Sequence, residues 1–309
     1  MYNSQDENVD LERDYLPSCH SSRFRQLKNP EEAVLEHFVQ LITNQTSELC
    51  SNANIKVLPN LRYGGQVDRQ LVDIYYSDVA KSKNKATPLF VFIHGGYWQM
   101  LDKSSSGSMV APLVERGYRV AIMDYNLCPQ VTLSQLLEQF SNFLEWIFDY
   151  AASTHTSHIS FAGHSAGAHL LAQLLNAPDV LRSPQRACVP IRSLFYISGV
   201  YDLRELWPLT SVNPKNILSL NAELAAKLSP ILWEYVEPSP EPTFGIHVLV
   251  AGHDSVSFIE QSRSFARLLA AKGFKIKFHI FEQYDHFDII EESAIEGTPI
   301  SEYIKEALQ

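Results

Sequence analysis

The chain has 309 residues, 45% of them hydrophobic and 19% charged, with a formal net charge of −10. That composition supplies ample material for a packed core and speaks against intrinsic disorder. The acidic residues are scattered and no stretch of Lys and Arg forms a stripe for a phosphate backbone, so nucleic acid is not an expected partner.

No segment approaches the roughly 20 consecutive apolar residues that span a bilayer, and a membrane partner is not expected. The opening MYNSQDENVDLERDY is polar and acidic, without the basic and apolar regions of a secretory leader. Cys19, Cys50, Cys128 and Cys188 are widely spaced and show no CxxC or metal-ligand pattern. Reduced thiols in a cytoplasmic protein are the expectation, with no metal and no cofactor. Asn44-Gln45-Thr46 matches a glycosylation sequon and is read as chance in a chain without a leader. The oligomeric state stays open, a homodimer included.

Residues 1–50 read as an N-terminal extension that packs on the core, with a helix expected from Pro30 to about Leu41 because Pro suits a first helical turn. Residues 51–309 read as one α/β domain. Strand-like runs occur at Ile55–Leu61, Leu71–Tyr76, Leu89–Ile93, Arg119–Met123, His158–Ala162, Leu194–Ile197, His247–Ala251 and Lys275–Phe281. Several central runs are apolar nearly throughout, as strands buried on both faces are. Between them Leu133, Leu136, Leu137, Phe140, Leu144, Ile147, Phe148 and Ala151 recur at helical spacing, as do Phe258, Ser262, Phe265, Ala266 and Leu269 before Gly273. This alternation predicts a mostly parallel eight-stranded sheet with helices on both faces. Residues 203–242 break the rhythm between the sixth and seventh strands, and a cap over the site is expected there, surface packing being the plain alternative.

The strongest chemical signal is Gly163-His164-Ser165-Ala166-Gly167, at the end of one apolar strand and the start of a helical run. A serine nucleophile there needs a tight, strained turn with small neighbours two positions away on either side, and Gly163 and Gly167 supply them. The helix start also favours developing negative charge. A second signal is Val91-Phe92-Ile93 running into His94-Gly95-Gly96-Tyr97-Trp98, the strand-then-glycine form of a loop that gives oxyanion-hole amides. Amides of Gly95, Gly96 or Tyr97, with that of Ala166, are the candidate donors.

A serine hydroxyl needs a base and an acid that orients it. Asp254 follows the seventh strand, where an α/β fold gathers functional groups, and His286 follows the eighth. Asp202 is the rival acid. Asp285 and Asp288 sit too near His286 in sequence to orient it and read as solvated or capping residues. His94, His164, His169 and His253 border the motifs but do not follow the last strand, and they read as hydrogen-bonded structural or loop histidines.

These residues are similar to those of the kynurenine formamidase (arylformamidase) family, a branch of the α/β hydrolases akin to hormone-sensitive-lipase-like esterases. The matching pieces are Leu11-Glu12-Arg13-Asp14-Tyr15-Leu16-Pro17-Ser18, Val72-Asp73-Ile74-Tyr75, the His94–Trp98 and Gly163–Leu170 motifs, and Gly199-Val200-Tyr201-Asp202-Leu203. Tyr97 stands where many related esterases carry a third glycine. The resemblance implies an α/β-hydrolase fold and hydrolysis of N-formyl-L-kynurenine to kynurenine and formate in tryptophan catabolism. It also implies Ser165, Asp254 and His286 as nucleophile, acid and base. Tyr97 and Trp98 are expected to face the substrate's aromatic ring, with packing beneath the loop as the alternative. A carboxylesterase acting on small or aromatic esters with the same three residues is the other functional reading.

Overall fold

The computed structural model describes residues 11–65, 69–78, 86–177, 188–235 and 244–309. Residues 1–10 of the extension and 236–242 of the insertion therefore lie outside the described residues. Eight strands form one sheet: β1 (Lys56–Arg62), β2 (Leu71–Tyr76), β3 (Thr87–Ile93), β4 (Arg119–Met123), β5 (Thr156–His164), β6 (Ile191–Ile197), β7 (Gly245–Ala251) and β8 (Ile276–Phe281). Their order is β1-β2-β4-β3-β5-β6-β7-β8. Strand β2 is antiparallel to β1 and β4, and every other neighbouring pair is parallel.

Helices among the described residues include α1 (Pro30–Ser51), α2 (Val110–Glu115), α3 (Leu133–Ser153), α4 (Ala166–Leu175), α5 (Ala222–Lys227), α6 (Val256–Ala271), α7 (Asp288–Glu291) and α8 (Pro299–Ala307). Successive side chains of a strand point to opposite faces, so the sheet feeds two cores. On β3, Leu89, Val91 and Ile93 join the apolar residues of α3, α4 and α6. Phe90 and Phe92 join Val34, Phe38 and Ile42 of α1, Val110 of α2 and Ile300 of α8. No helix among the described residues is long and apolar enough to cross a membrane.

Helix α1 continues ten residues past the expected end at Leu41. The polar run from Thr43 to Ser47 hides a buried stripe, Val34, Phe38, Ile42, Thr46 and Leu49, that keeps helical spacing. Thr46 belongs in that stripe because its hydroxyl donates to Ile42 O at 2.8 Å and accepts from Gly107 N at 2.8 Å. Strand β5 is likewise longer than its apolar run and includes Gly163 and His164, so the turn itself begins at Ser165.

Strands β3 and β5 are neighbours, yet the chain leaves β3 toward β4 and leaves β5 toward β6 on the other side. The crevice at the carboxyl ends of two such strands is where open α/β sheets place their ligands. Here Ile93 is in register with Gly163, and helix α4 leaves directly over the end of β3. A Cβ on Gly167 would lie 2.2 Å from Ile93 O, and one on Gly163 would lie 2.4 Å from Gly167 O. Gly167→Ala is therefore expected to cost roughly 1–3 kcal/mol or more by forcing strand and helix apart. A Cβ on Gly65 meets nothing within 4 Å, and Gly65→Ala should stay within about 0.5 kcal/mol of the parent. Urea unfolding compares them, and equal midpoints for the two variants would contradict this account of the junction.

Candidate active site

Ser165 opens α4 with φ 53° and ψ −118°, a conformation that side chains with a Cβ seldom adopt. It is held there from both directions. Its N–H donates to Ile197 O at 2.9 Å, and its carbonyl accepts the first turn of α4 from Ala168 N at 3.0 Å. Gly95 comes so close that a Cβ on it would lie 3.0 Å from Ser165 Cβ.

The loop after β3 is braced from below. His94 stacks on Tyr125 with centroids 4.1 Å apart, and the Tyr125 hydroxyl donates to the carbonyls of His94 at 2.8 Å and Gly95 at 3.0 Å. Gly96 has φ 93°, and Gly96 O accepts from Gln99 N at 2.9 Å and Met100 N at 3.1 Å. With these carbonyls engaged, the amides of Gly95, Gly96 and Tyr97 donate to no protein acceptor among the described residues, and neither does that of Ala166. Such unpaired N–H groups at a loop and a helix N-terminus are suited to an oxyanion.

Asp254 and His286 come from turns after β7 and β8. The two turns are joined by Gly252 N to Phe281 O at 2.8 Å and His253 N to Tyr284 O at 2.9 Å, and Ser255 caps α6 through Phe258 N at 3.2 Å. His286 Nδ1 donates to Asp254, at 3.0 Å from each carboxylate oxygen. The rival Asp202 instead pairs with Arg204 at 2.6 Å. The His286 ring packs edge-on against Phe258 at 4.9 Å and lies 4.7 Å from the ring of His164. His164 Nε2 donates to His286 O at 2.9 Å. Burial, then the neighbouring His286, holds His164 well below the usual histidine range, so it serves as a neutral brace.

Ser165 and His286 line one cavity of about 730 Å³. Among the described residues no hydrogen bond joins the serine hydroxyl to the imidazole, whose Nδ1 is engaged by Asp254. Gly96 and Tyr97 also line the cavity, whereas Trp98 does not. Tyr97 and Trp98 are successive left-handed residues, φ 48° and 59°, which send their side chains different ways. Trp98 is fully buried beneath the loop, edge-on to His169 at 5.0 Å, while the Tyr97 hydroxyl donates to Tyr15 O at 2.6 Å.

Much of the cavity wall comes from the N-terminal extension, through Leu16, Pro17 and Ser18 and one side of α1. Residues 203–235 of the insertion contribute Ser211 and Val212. They are tied to the extension, since Glu12 accepts from Thr210 N and Ser211 N at 2.7 Å each. A role for the extension in walling the site is not readable from its sequence, which shows only a helix and polar flanks.

The BD-FAE family matches residues 72–269. A kynurenine formamidase of Drosophila melanogaster is 53% identical over 305 residues, covering 99% of this chain and 98% of its own. The chain belongs to the kynurenine formamidase family. A second member, a kynurenine formamidase of Danio rerio, is 30% identical over 94% of this chain and 91% of its own. Among solved structures, a provisionally assigned thioesterase from Silicibacter sp. TM1040 superposes with a TM-score of 0.69 at 27% identity, covering 87% of this chain and 93% of its own. As a formamidase-family member with an α/β-hydrolase fold, the chain is a serine hydrolase.

His169 of α4 donates through Nε2 to Leu228 O at 2.9 Å, joining the helix behind Ser165 to the insertion. Burial pushes it down to about 4 from an ordinary value of 6.5. The unfolded chain then binds a proton that the folded one refuses, so this contribution to stability is complete above pH 6.5 and is lost as pH falls toward 4. Below pH 6.5 the unfolding free energy of the wild type should therefore fall by about 1.4 kcal/mol per pH unit more than that of His169→Gln. Parallel stability profiles for the two proteins would contradict this.

Proposed function

We propose that this protein hydrolyses N-formyl-L-kynurenine to L-kynurenine and formate, with Ser165 as nucleophile, His286 as base and Asp254 as its orienting acid. The carrying observation is the Asp254–His286 pair, 3.0 Å apart, at a cavity that Ser165 also lines. His286 takes the Ser165 proton as Oγ attacks the formyl carbon. The amides of Gly95, Gly96 and Ala166 receive the oxyanion. His286 then returns the proton to the aniline nitrogen, the arylamine departs, and water repeats the cycle on the formyl-enzyme to release formate. Asp254 keeps Nδ1 protonated so that Nε2 is the nitrogen facing the serine.

An arylformamide suits this machinery because the aniline ring withdraws the nitrogen lone pair, which weakens amide resonance toward that of an ester. Tyr97 on the wall offers a ring face to the aryl group, and its phenol stays protonated because burial, with Asp254 nearby, raises its pKa well above the ordinary value. A cytoplasmic setting fits the four free cysteines.

A second reading, a carboxylesterase for small or aromatic esters, is favoured by the wall itself. Among the described residues lining the cavity there is no Lys or Arg, and Leu35, Val39 and Met100 expose apolar surface. Nothing charged there selects for a carboxylate on the substrate.

Purified protein incubated with N-formyl-L-kynurenine should consume its ultraviolet band. Ser165→Ala should lower kcat by about 10⁴-fold or more while the melting temperature stays near that of the parent. A Ser165→Ala protein retaining most of its turnover would end this reading. Specificity constants that favour short nitrophenyl esters over formyl-kynurenine would move the assignment to the esterase.

A further inference from the structure

Ser21 and Arg23 of the extension hydrogen-bond the turn that carries His286. The Asp285 carboxylate, adjacent to the imidazole-bearing residue and 1% exposed, accepts five hydrogen bonds. The Ser21 hydroxyl donates at 2.6 Å and Arg23 donates twice, from Nε at 2.9 Å and Nη2 at 3.3 Å. The remaining two donors are the amides of Phe287 and Asp288, each at 2.9 Å. Arg23 also donates through Nη1 to Glu291 at 2.7 Å, and so grips both the turn and the short helix α7 after it. Burial alone would raise the Asp285 pKa, but the Ser21 hydroxyl, the Asp288 amide and Arg23 together keep it below the ordinary aspartate value, so a full negative charge is held there.

His286 is thus fixed on the side of its own carbonyl by His164, and on the flanking peptide groups by Asp285. Asp285 in turn is fixed by a guanidinium fork from a segment more than 260 positions away. The same segment walls the cavity through Leu16, Pro17 and Ser18 and receives the Tyr97 hydroxyl on Tyr15 O. It touches the loop after β3 at one end and the histidine turn at the other.

We propose that Arg23, acting through Asp285, is a positioning residue for His286, so that residues 15–23 seat the imidazole in the same act that closes the cavity. The inference rests on His286 being the base. A planar fork holds a carboxylate in one orientation, whereas a lysine supplies charge without that geometry. Displacements of about 1 Å in a reacting group cost on the order of 10²-fold in rate. A misplaced imidazole therefore lowers kcat, and a binding pocket that is otherwise intact leaves KM alone.

The test compares wild type, Arg23→Lys, Arg23→Met and His286→Ala on N-formyl-L-kynurenine and p-nitrophenyl acetate, each well below its own melting temperature. Arg23→Met should lose roughly 10- to 100-fold in kcat on both substrates with KM within about twofold, and Arg23→Lys should recover part of the loss. If Arg23→Met does not fold, the Lys variant alone must still show reduced kcat. Wild-type kcat in both soluble Arg23 variants, with only the melting temperature lowered, overturns the proposal, as does a raised KM at unchanged kcat. His286→Ala separates the two readings. If it keeps its activity, the base assignment fails; if it loses activity while the Arg23 variants do not, only the positioning role fails.

Discussion

The backbone of Ser165 is held at φ 53° and ψ −118° by the close approach of β3, β5 and α4, and the remaining parts of the site are arranged around that turn. Such a conformation costs on the order of 1–3 kcal/mol and persists only where its surroundings over-determine it. The surroundings do so here. Gly167 passes Ile93 O at a distance no side chain would allow, Gly163 is in register with Ile93, and Ser165 N is bonded to Ile197 O. The turn sets Ser165 at the topological switch of the sheet, directly against Gly95 of the loop after β3. Strain and position are linked at this point, because the unusual backbone conformation goes with the place of Ser165 on the cavity wall.

The groups proposed to serve Ser165 are placed by two unlike routes. Asp254 and His286 are brought together by the sheet, since β7 and β8 are parallel neighbours and their following turns are stitched through Gly252 and His253. The final seating of the histidine turn depends on a different element, the N-terminal extension, whose Ser21 and Arg23 satisfy the buried Asp285. Asp285 is buried while Arg23 is partly exposed, and a buried carboxylate left without its partner is costly, so the extension is bound into the fold as well as into the site.

The eight strands and their parallel arrangement were legible because apolar runs bounded by turn residues report burial on two faces directly. The serine turn, the glycine loop and the Asp254 and His286 positions were legible for a related reason, since each sits at the carboxyl end of a recognisable strand. Other features left no local trace. Asp285 looks like a capping residue by its own neighbourhood, and its guanidinium partner is more than 260 positions away. Helix α1 runs through a polar stretch because only one stripe of it is buried, and Thr46 fills that stripe by bonding its own backbone. Tyr97 and Trp98 look equivalent as adjacent aromatics, yet two successive left-handed residues turn one to the cavity and the other beneath it. Gly96, itself at φ 93°, opens that run, but neither aromatic position carries the glycine that usually signals such a conformation.

The most direct test of the serine's place in this arrangement is stoichiometric labelling with an organophosphonate, followed by mass mapping and by residual hydrolysis of N-formyl-L-kynurenine. One phosphonyl group should appear on the peptide bearing Ser165, and activity should fall in proportion to its occupancy. Full occupancy of Ser165 with undiminished hydrolysis, or inactivation that tracks a label on some other residue, would contradict the account.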